Sequence, residues 1–284
     1  MYFVVDRFVY AARRAVAKST NAIAYSAMSI ALSLSGKVAL ISGGSRGIGA
    51  ATVRMFAAAG AKVVFSYRSA ADQARALSKE CGAAPVQCNL DHPEAARLLV
   101  AETVKRCGRL DILVANHGVW PPDDVAIERM TDEQWRSTVS INLDAVFGLV
   151  KHTVAQMKAQ PSKNGVGGHI VLISSTSGQR GEAFHSDYSA TKGALISLAK
   201  SLASELAPAG IYVNCVAPGW VDTDMSAAAL EDPKTGDAIR RTIPLGRVGK
   251  PEEIAAPVLF LCTEYAGFIT GEIFNVNGGA VLVG

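Results

Sequence analysis

Tyr188 and Lys192 stand four residues apart in a stretch with helical spacing, so their side chains share one face, a turn apart. A phenol titrates near pKa ~10 on its own. A neighbouring ammonium favours the phenolate, and each unit of lowering corresponds to ~1.4 kcal/mol. Such a pair suits proton donation to a carbonyl, or proton removal from an alcohol. The same spacing also occurs as a plain surface pair. The run Ser174-Ser175-Thr176-Ser177-Gly178 ends an apolar stretch, and Ser175 lies 13 residues before Tyr188. A serine hydroxyl at that place can hydrogen-bond a substrate oxygen. Asn116 and Gly118 follow another apolar run, and Asn142 falls in the helical pattern after it.

A second group of residues points to an anion. Ser42-Gly43-Gly44-Ser45-Arg46-Gly47-Ile48-Gly49 joins a predicted strand to a predicted helix. Glycine is required where the backbone turns sharply and nears a pyrophosphate, and the helix start offers free N–H groups and its positive dipole end. Sites for NAD place a carboxylate after the second strand, to hold the ribose hydroxyl. Here that stretch reads Ser66-Tyr67-Arg68-Ser69, with no carboxylate. Arg46 and Arg68 instead suit a 2′-phosphate, through their forked donors. The expected cofactor is NADP(H), with NAD(H) second.

The elements that must position these residues are legible as alternating patterns. Apolar runs at 37–42, 62–66, 85–88, 111–115, 169–174, 211–216 and 272–276 read as strands. Helices are predicted over 47–59, 70–80, 93–107, 137–159, 187–207 and 251–262, with a helix start near Thr131-Asp132-Glu133. The strands are continuous apolar runs rather than alternating ones, as in a parallel sheet covered on both faces. The implied fold class is α/β: one doubly wound parallel sheet with helices on both faces, and ligands beyond the carboxyl ends of its strands.

Composition sets the frame. The chain has 284 residues, 49% hydrophobic and 19% charged, enough for a sizeable core and too apolar for global disorder. The formal net charge is +3, and residues 1–35 account for it with Arg7, Arg13, Arg14 and Lys18 against Asp6. The neutral remainder argues against nucleic-acid binding. Five cysteines without a Cys-x-x-Cys pair argue for a reducing compartment and against a metal site or disulfide framework. Residues 1–35 read as an N-terminal extension: a targeting segment of mitochondrial type, or an upstream start ahead of Met28. They are too polar for a stable membrane span. Residues 36–284 read as one domain, expected in the cytoplasm, or in mitochondria if the extension is a transit peptide.

SGGSRGIG, ANHG, the Ser175–Tyr188–Lys192 set, NCVAPGWVDTDM at 214–225 and ITGEIFNVNGG at 269–279 stand in order. Together they resemble the short-chain dehydrogenase/reductase family, over about 36–284. The resemblance implies a Rossmann fold and an NAD(P)-dependent oxidoreductase acting on CH–OH/C=O. It implies Tyr188 as acid/base, Lys192 lowering its pKa and holding the nicotinamide ribose, Ser175 orienting the carbonyl, and Asn142 anchoring a water that links Lys192 to solvent. Cofactor binding is implied for Gly43, Ser45, Arg46, Gly47, Ile48, Gly49, Tyr67, Arg68, Asn89, Leu90, Asn116, Gly118, Tyr188 and Lys192. Pro218, Gly219, Val221 and Thr223 are implied at the nicotinamide carboxamide. No metal is expected. Three positions depart from the family pattern: Ser42 replaces Thr, Asn89 replaces Asp, and His117 replaces a small residue.

Within the family the sequence is most similar to 3-oxoacyl-[acyl-carrier-protein] reductases. That implies reduction of a 3-oxoacyl thioester in fatty acid biosynthesis, and a homotetramer built on the helices at 137–159 and 187–207. Ala209 stands where those enzymes often carry a basic residue for the carrier, and the stretch from Met157 to Gly168 is longer. Trp120, Pro121, Pro122, Phe184, His185 and Trp220 suggest an apolar pocket wall. Sugar, steroid or small-ketone reduction therefore stays open, as does a non-catalytic NADP(H) sensor on the same fold.

Overall fold

The computed structural model describes residues 31–283. The readings of the N-terminal extension and of Met28 fall outside these residues, apart from 31–35. There Leu34 is buried and its N–H donates to the Ala59 carbonyl at 2.8 Å, so the packed chain starts slightly before position 36.

Seven parallel strands form one sheet in the order β3-β2-β1-β4-β5-β6-β7. They are β1 (Val38–Ile41), β2 (Lys62–Tyr67), β3 (Ala84–Gln87), β4 (Ile112–Ala115), β5 (Gly168–Ile173), β6 (Ile211–Pro218) and β7 (Ile273–Val276). The central strands β1, β4 and β5 are buried along their whole length, which is why they read as unbroken apolar runs. Strand alternation divides their side chains between two cores. Leu40, Leu113, Ile170 and Leu172 face one helix layer, while Ile41, Ile112, Val114 and Val171 face the other. The strand order reverses between β1 and β4, and a crevice opens there beyond the carboxyl ends.

The helices are α1 (Gly47–Ala58), α2 (Ala71–Cys81) and α3 (Pro93–Cys107), then α4 (Asp132–Val139) and α5 (Ala145–Ala159). Next come α6 (Thr176–Arg180), α7 (Ser186–Leu206), α8 (Ala227–Glu231), α9 (Pro233–Arg241) and α10 (Pro251–Leu261). Gly82 and Gly108 stop α2 and α3 in the left-handed conformation, at φ 72° and 78°. His92 caps α3, its side chain accepting from Ala95 N–H, with Pro93 at the first helical position.

One predicted helix is corrected. The helix start expected near Thr131-Asp132-Glu133 is there, at Asp132 with Thr131 as its cap, but the expected helix over 137–159 is interrupted by a five-residue π turn, Ser140–Asp144. Asn142 sits inside that turn rather than in a regular helix. The five-residue helices α6 and α8 are too short to carry a periodicity that can be read from sequence, and the amphipathic α9 is not among the predicted helices either.

Candidate active site

The site begins where β1 ends. Gly43 and Gly47 adopt φ +65° and +53°, open to glycine at no steric cost. A Cβ on Gly49 would lie 2.1 Å from the Gly43 carbonyl oxygen, so the first turn of α1 packs directly on the loop. Arg46 precedes α1 in extended conformation with no side-chain cap, and the first turn holds no acidic residue. Its N–H groups are thus free for an anion.

Asn116 holds this loop: its Nδ2 donates to the carbonyls of Ser42 and Gly43, each at 3.1 Å. The Ser42 hydroxyl oxygen accepts from Asn116 N–H at 3.0 Å and His117 N–H at 3.2 Å. Ser42 therefore keeps a bonding role in place of the family's threonine. At the end of β2, Ser66 Oγ accepts from Gly43 N–H at 3.1 Å. Arg68 lines the cleft and, among the described residues, no carboxylate pairs with it. Arg46 pairs with Asp224 at 3.3 Å, both well exposed. Asn89 donates to Asp91 at 2.5 Å, and Leu90 is buried.

At the other end of the crevice, Ser175 caps α6, its Oγ accepting from Ser177 N–H at 3.1 Å. Gly178 lets α6 cross α7 closely, since a Cβ there would lie 2.5 Å from the Lys192 carbonyl carbon. That crossing sets Ser175 against Tyr188 and Lys192. Burial pushes the Tyr188 phenol up to about 12, against a hydrogen bond from Ser175 that lowers it, and Glu182 adds to the rise. Lys192 is not among the groups that shift it. The Lys192 Nζ lies 5.7 Å from the Tyr188 ring centroid and donates to the Ile173 carbonyl at 2.8 Å. Burial brings Lys192 down to about 8.

Asn142 grips the chain after β4 from both sides. Its Oδ1 accepts from Val119 N–H and its Nδ2 donates to the Val119 carbonyl, each at 2.8 Å. Gly118 lies beneath, where a Cβ would meet Asn142 Oδ1 at 3.2 Å and Lys192 Nζ at 3.4 Å. Pro218 ends β6, and Gly219, Val221 and Thr223 continue along the wall.

These features border one cleft of about 320 Å³. All the predicted catalytic and cofactor residues line it except Asn142, which acts on its wall from behind through Val119. Sequence reasoning missed Asp187. Fully buried, it accepts from Tyr188 N–H at 2.8 Å, Thr138 Oγ1 at 2.8 Å and Gln134 Nε2 at 3.2 Å. It ties the start of α7 to α4, and its signal was an acid in a helix's first turn. Arg180 and Glu182 also line the cleft unforeseen. The aromatic wall forms across three loops: Trp120 stacks on His185 at 4.7 Å and meets Trp220 edge-on at 5.9 Å. Among the described residues there is no cluster of metal-binding side chains, and no helix is long and apolar enough to cross a membrane. The five cysteines are free.

Known proteins resemble this chain in sequence and fold. The family described as enoyl-(acyl carrier protein) reductase matches residues 43–281. A 3-oxoacyl-[acyl-carrier-protein] reductase of Escherichia coli K12 is 39% identical over 254 residues, spanning 89% of this chain and 100% of that protein. An acetoacetyl-CoA reductase of Shinella zoogloeoides is 37% identical over 247 residues, 87% of this chain and 99% of its own length. Among solved structures, a short-chain dehydrogenase from Burkholderia cenocepacia in complex with NADP superposes with a TM-score of 0.79 at 35% identity, covering 87% of this chain and 98% of that one.

Proposed function

The chain belongs to the short-chain dehydrogenase/reductase family and is an oxidoreductase acting on CH–OH/C=O groups, and from that premise we propose that it is an NADP(H)-dependent reductase of 3-oxoacyl thioesters. The observation that carries this reading is one cleft with an anion-binding helix start at one end and Ser175, Tyr188 and Lys192 at the other. The cradle fits a dinucleotide: only glycine fits at position 49, and the first-turn N–H groups of α1 have no side-chain partner. Arg68, with no carboxylate partner among the described residues, suits a 2′-phosphate and favours NADP(H) over NAD(H).

When bound, the nicotinamide supplies the hydride. The chain supplies position and proton. Gly43, Ser45, Arg46, Gly47, Ile48 and Gly49 would hold the pyrophosphate, Tyr67, Arg68, Asn89 and Leu90 the adenosine, with Asn116 and Gly118 continuing along it. Pro218, Gly219, Val221 and Thr223 would border the carboxamide end. Ser175 orients the substrate carbonyl. Tyr188, protonated throughout the neutral range, donates its phenolic proton to the carbonyl oxygen as the alcohol forms. Lys192 would hold the nicotinamide ribose, and Asn142 holds the adjoining wall through Val119.

The thioester rests on the similarity to the two named reductases and on the apolar wall of Trp120, His185 and Trp220. Ala209 gives no cation for a carrier protein, which favours a smaller thioester carrier. We further propose a cytoplasmic homotetramer: Leu98, Trp135 and Phe147 leave an apolar face on α3 to α5, each 40% exposed or more. The test follows NADPH absorbance with a short 3-oxoacyl thioester, against sugar, steroid and simple-ketone substrates. Turnover of the thioester above all others supports the reading. A stronger response to a sugar or steroid replaces the substrate, and binding of NADPH without any turnover makes the chain a sensor.

A further inference from the structure

Tyr188 stands third in α7, and its peptide groups are held by side chains as well as by the helix. The first helical bond of α7 runs from the Ser189 N–H to the His185 carbonyl, at 2.9 Å. The Tyr188 N–H therefore belongs to the donors that a helix start leaves without a helical partner. Asp187 Oδ1 accepts it at 2.8 Å. On the other side of the residue, the Tyr188 carbonyl accepts from Thr191 Oγ1 at 2.7 Å.

Both partners reach onward to a single segment, α4 with the π turn that follows it. Asp187 Oδ2 accepts from Thr138 Oγ1 at 2.8 Å, and Thr191 Oγ1 accepts from Asn142 Nδ2 at 3.4 Å. The spacing matches on the two sides. Thr138 and Asn142 stand four apart on that segment, and Asp187 and Thr191 stand four apart on α7. Four residues make about one turn, so each pair shares a face. The contacts form a ladder of two rungs, with the Tyr188 peptide groups between them. All four side chains are 2% exposed or less, so a hydroxyl that lost its partner here would find no water in its place. None of the four borders the cleft; they act on it through Tyr188 and, beyond Asn142, through Val119 on the cleft wall. The rungs differ in strength. Thr138–Asp187 is short and ends on a carboxylate, whereas Asn142–Thr191 lies at the long end of hydrogen-bond range.

We propose that Thr138 and Thr191 are positioning residues for Tyr188: their hydroxyls fasten the start of α7 to α4 and the π turn, and so hold the phenol in place at the reaction centre. This rests on the reaction centre proposed above. Two measurements test it, and the first needs no turnover. Amide hydrogen exchange followed by NMR is expected to show the Tyr188 N–H protected in the wild type. Thr138→Val keeps the shape and removes the hydroxyl. It is expected to speed exchange at Tyr188 about tenfold relative to the Leu195 amide, deeper in α7. Equal exchange at Tyr188 in the two proteins overturns the ladder. The second measurement is kcat, taken well below the melting temperature of each variant so that loss of fold does not enter. Thr138→Val is expected to lower kcat about tenfold with NADPH affinity within about threefold, and Thr191→Val to lower it less. Thr138→Ser restores the hydroxyl and should recover most of the loss. Wild-type kcat in Thr138→Val overturns the proposal, as does a Thr138→Ser no faster than Thr138→Val; wild-type kcat in Thr191→Val overturns the role of Thr191. If Thr138→Val does not fold, Thr138→Ala carries the same expectations. Absence of turnover in the wild type overturns the reductase reading, and the amide exchange then decides the ladder.

Discussion

Lys192 and Tyr188 share a helix face, yet the lysine spends its ammonium on the Ile173 carbonyl at 2.8 Å and stays 5.7 Å from the phenol ring. Both groups are governed by burial, which raises the tyrosine and lowers the lysine. A buried lysine held at about 8 has a measurable consequence. Its unfolded value lies near ~10.4, so between the two the unfolded chain binds more protons than the folded one. The contribution of Lys192 to stability therefore improves as pH rises through that window. Thermal unfolding of wild type and Lys192→Met should show the wild type gaining on the variant between pH 7 and pH 10. A constant difference between the two would mean that the ammonium is not desolvated.

The glycine cradle predicts an inverted helix effect. Gly→Ala inside a helix ordinarily stabilises by roughly 0.5–1 kcal/mol. At Gly49 the added Cβ would meet the Gly43 carbonyl at 2.1 Å and Asn116 Nδ2 at 2.7 Å. Gly49→Ala is expected to lower the melting temperature and to weaken NADPH binding at least tenfold by fluorescence titration. A stabilised variant with intact binding would contradict the cradle.

Asp187 predicts a large cost away from the chemistry. Its carboxylate is fully buried and serves three donors on α4 and α7. Asp187→Ala strands those donors and is expected to cost about 3 kcal/mol in urea unfolding. Asp187→Asn keeps an acceptor and should cost less. Equal losses for the two would point to size rather than hydrogen bonding.

Cofactor choice is expected to rest on Arg68. Arg68→Glu should weaken NADPH binding about 10–100-fold, as loss of a charge-assisted contact implies, while NADH binding holds or improves. Parallel losses for both cofactors would place the 2′-phosphate elsewhere, with Arg46 next in line once it leaves Asp224.

Much of this arrangement was legible before any coordinates. Buried parallel strands leave unbroken apolar runs, so β1, β4 and β5 announce themselves, and an i, i+4 pair needs only a helix to be adjacent. Gly43, Gly47 and Gly49 mark a backbone constraint that one residue type alone meets. The π turn was not legible, because one extra residue in a helix shifts hydrogen bonds without changing residue types. Nor was the fate of Lys192: spacing places a side chain on a face but does not say which carbonyl claims it. Trp120 and His185 are 65 residues apart, and only the meeting of two loops stacks them.

The central claim is that Tyr188 delivers the proton. Its most direct test is Tyr188→Phe, which keeps the ring and removes the hydroxyl. NADPH oxidation with a short 3-oxoacyl thioester should fall by about 10²–10⁴-fold in kcat, the usual scale of a lost general acid. NADPH affinity should stay at the wild-type value. A variant that retains wild-type turnover would contradict the account at its centre.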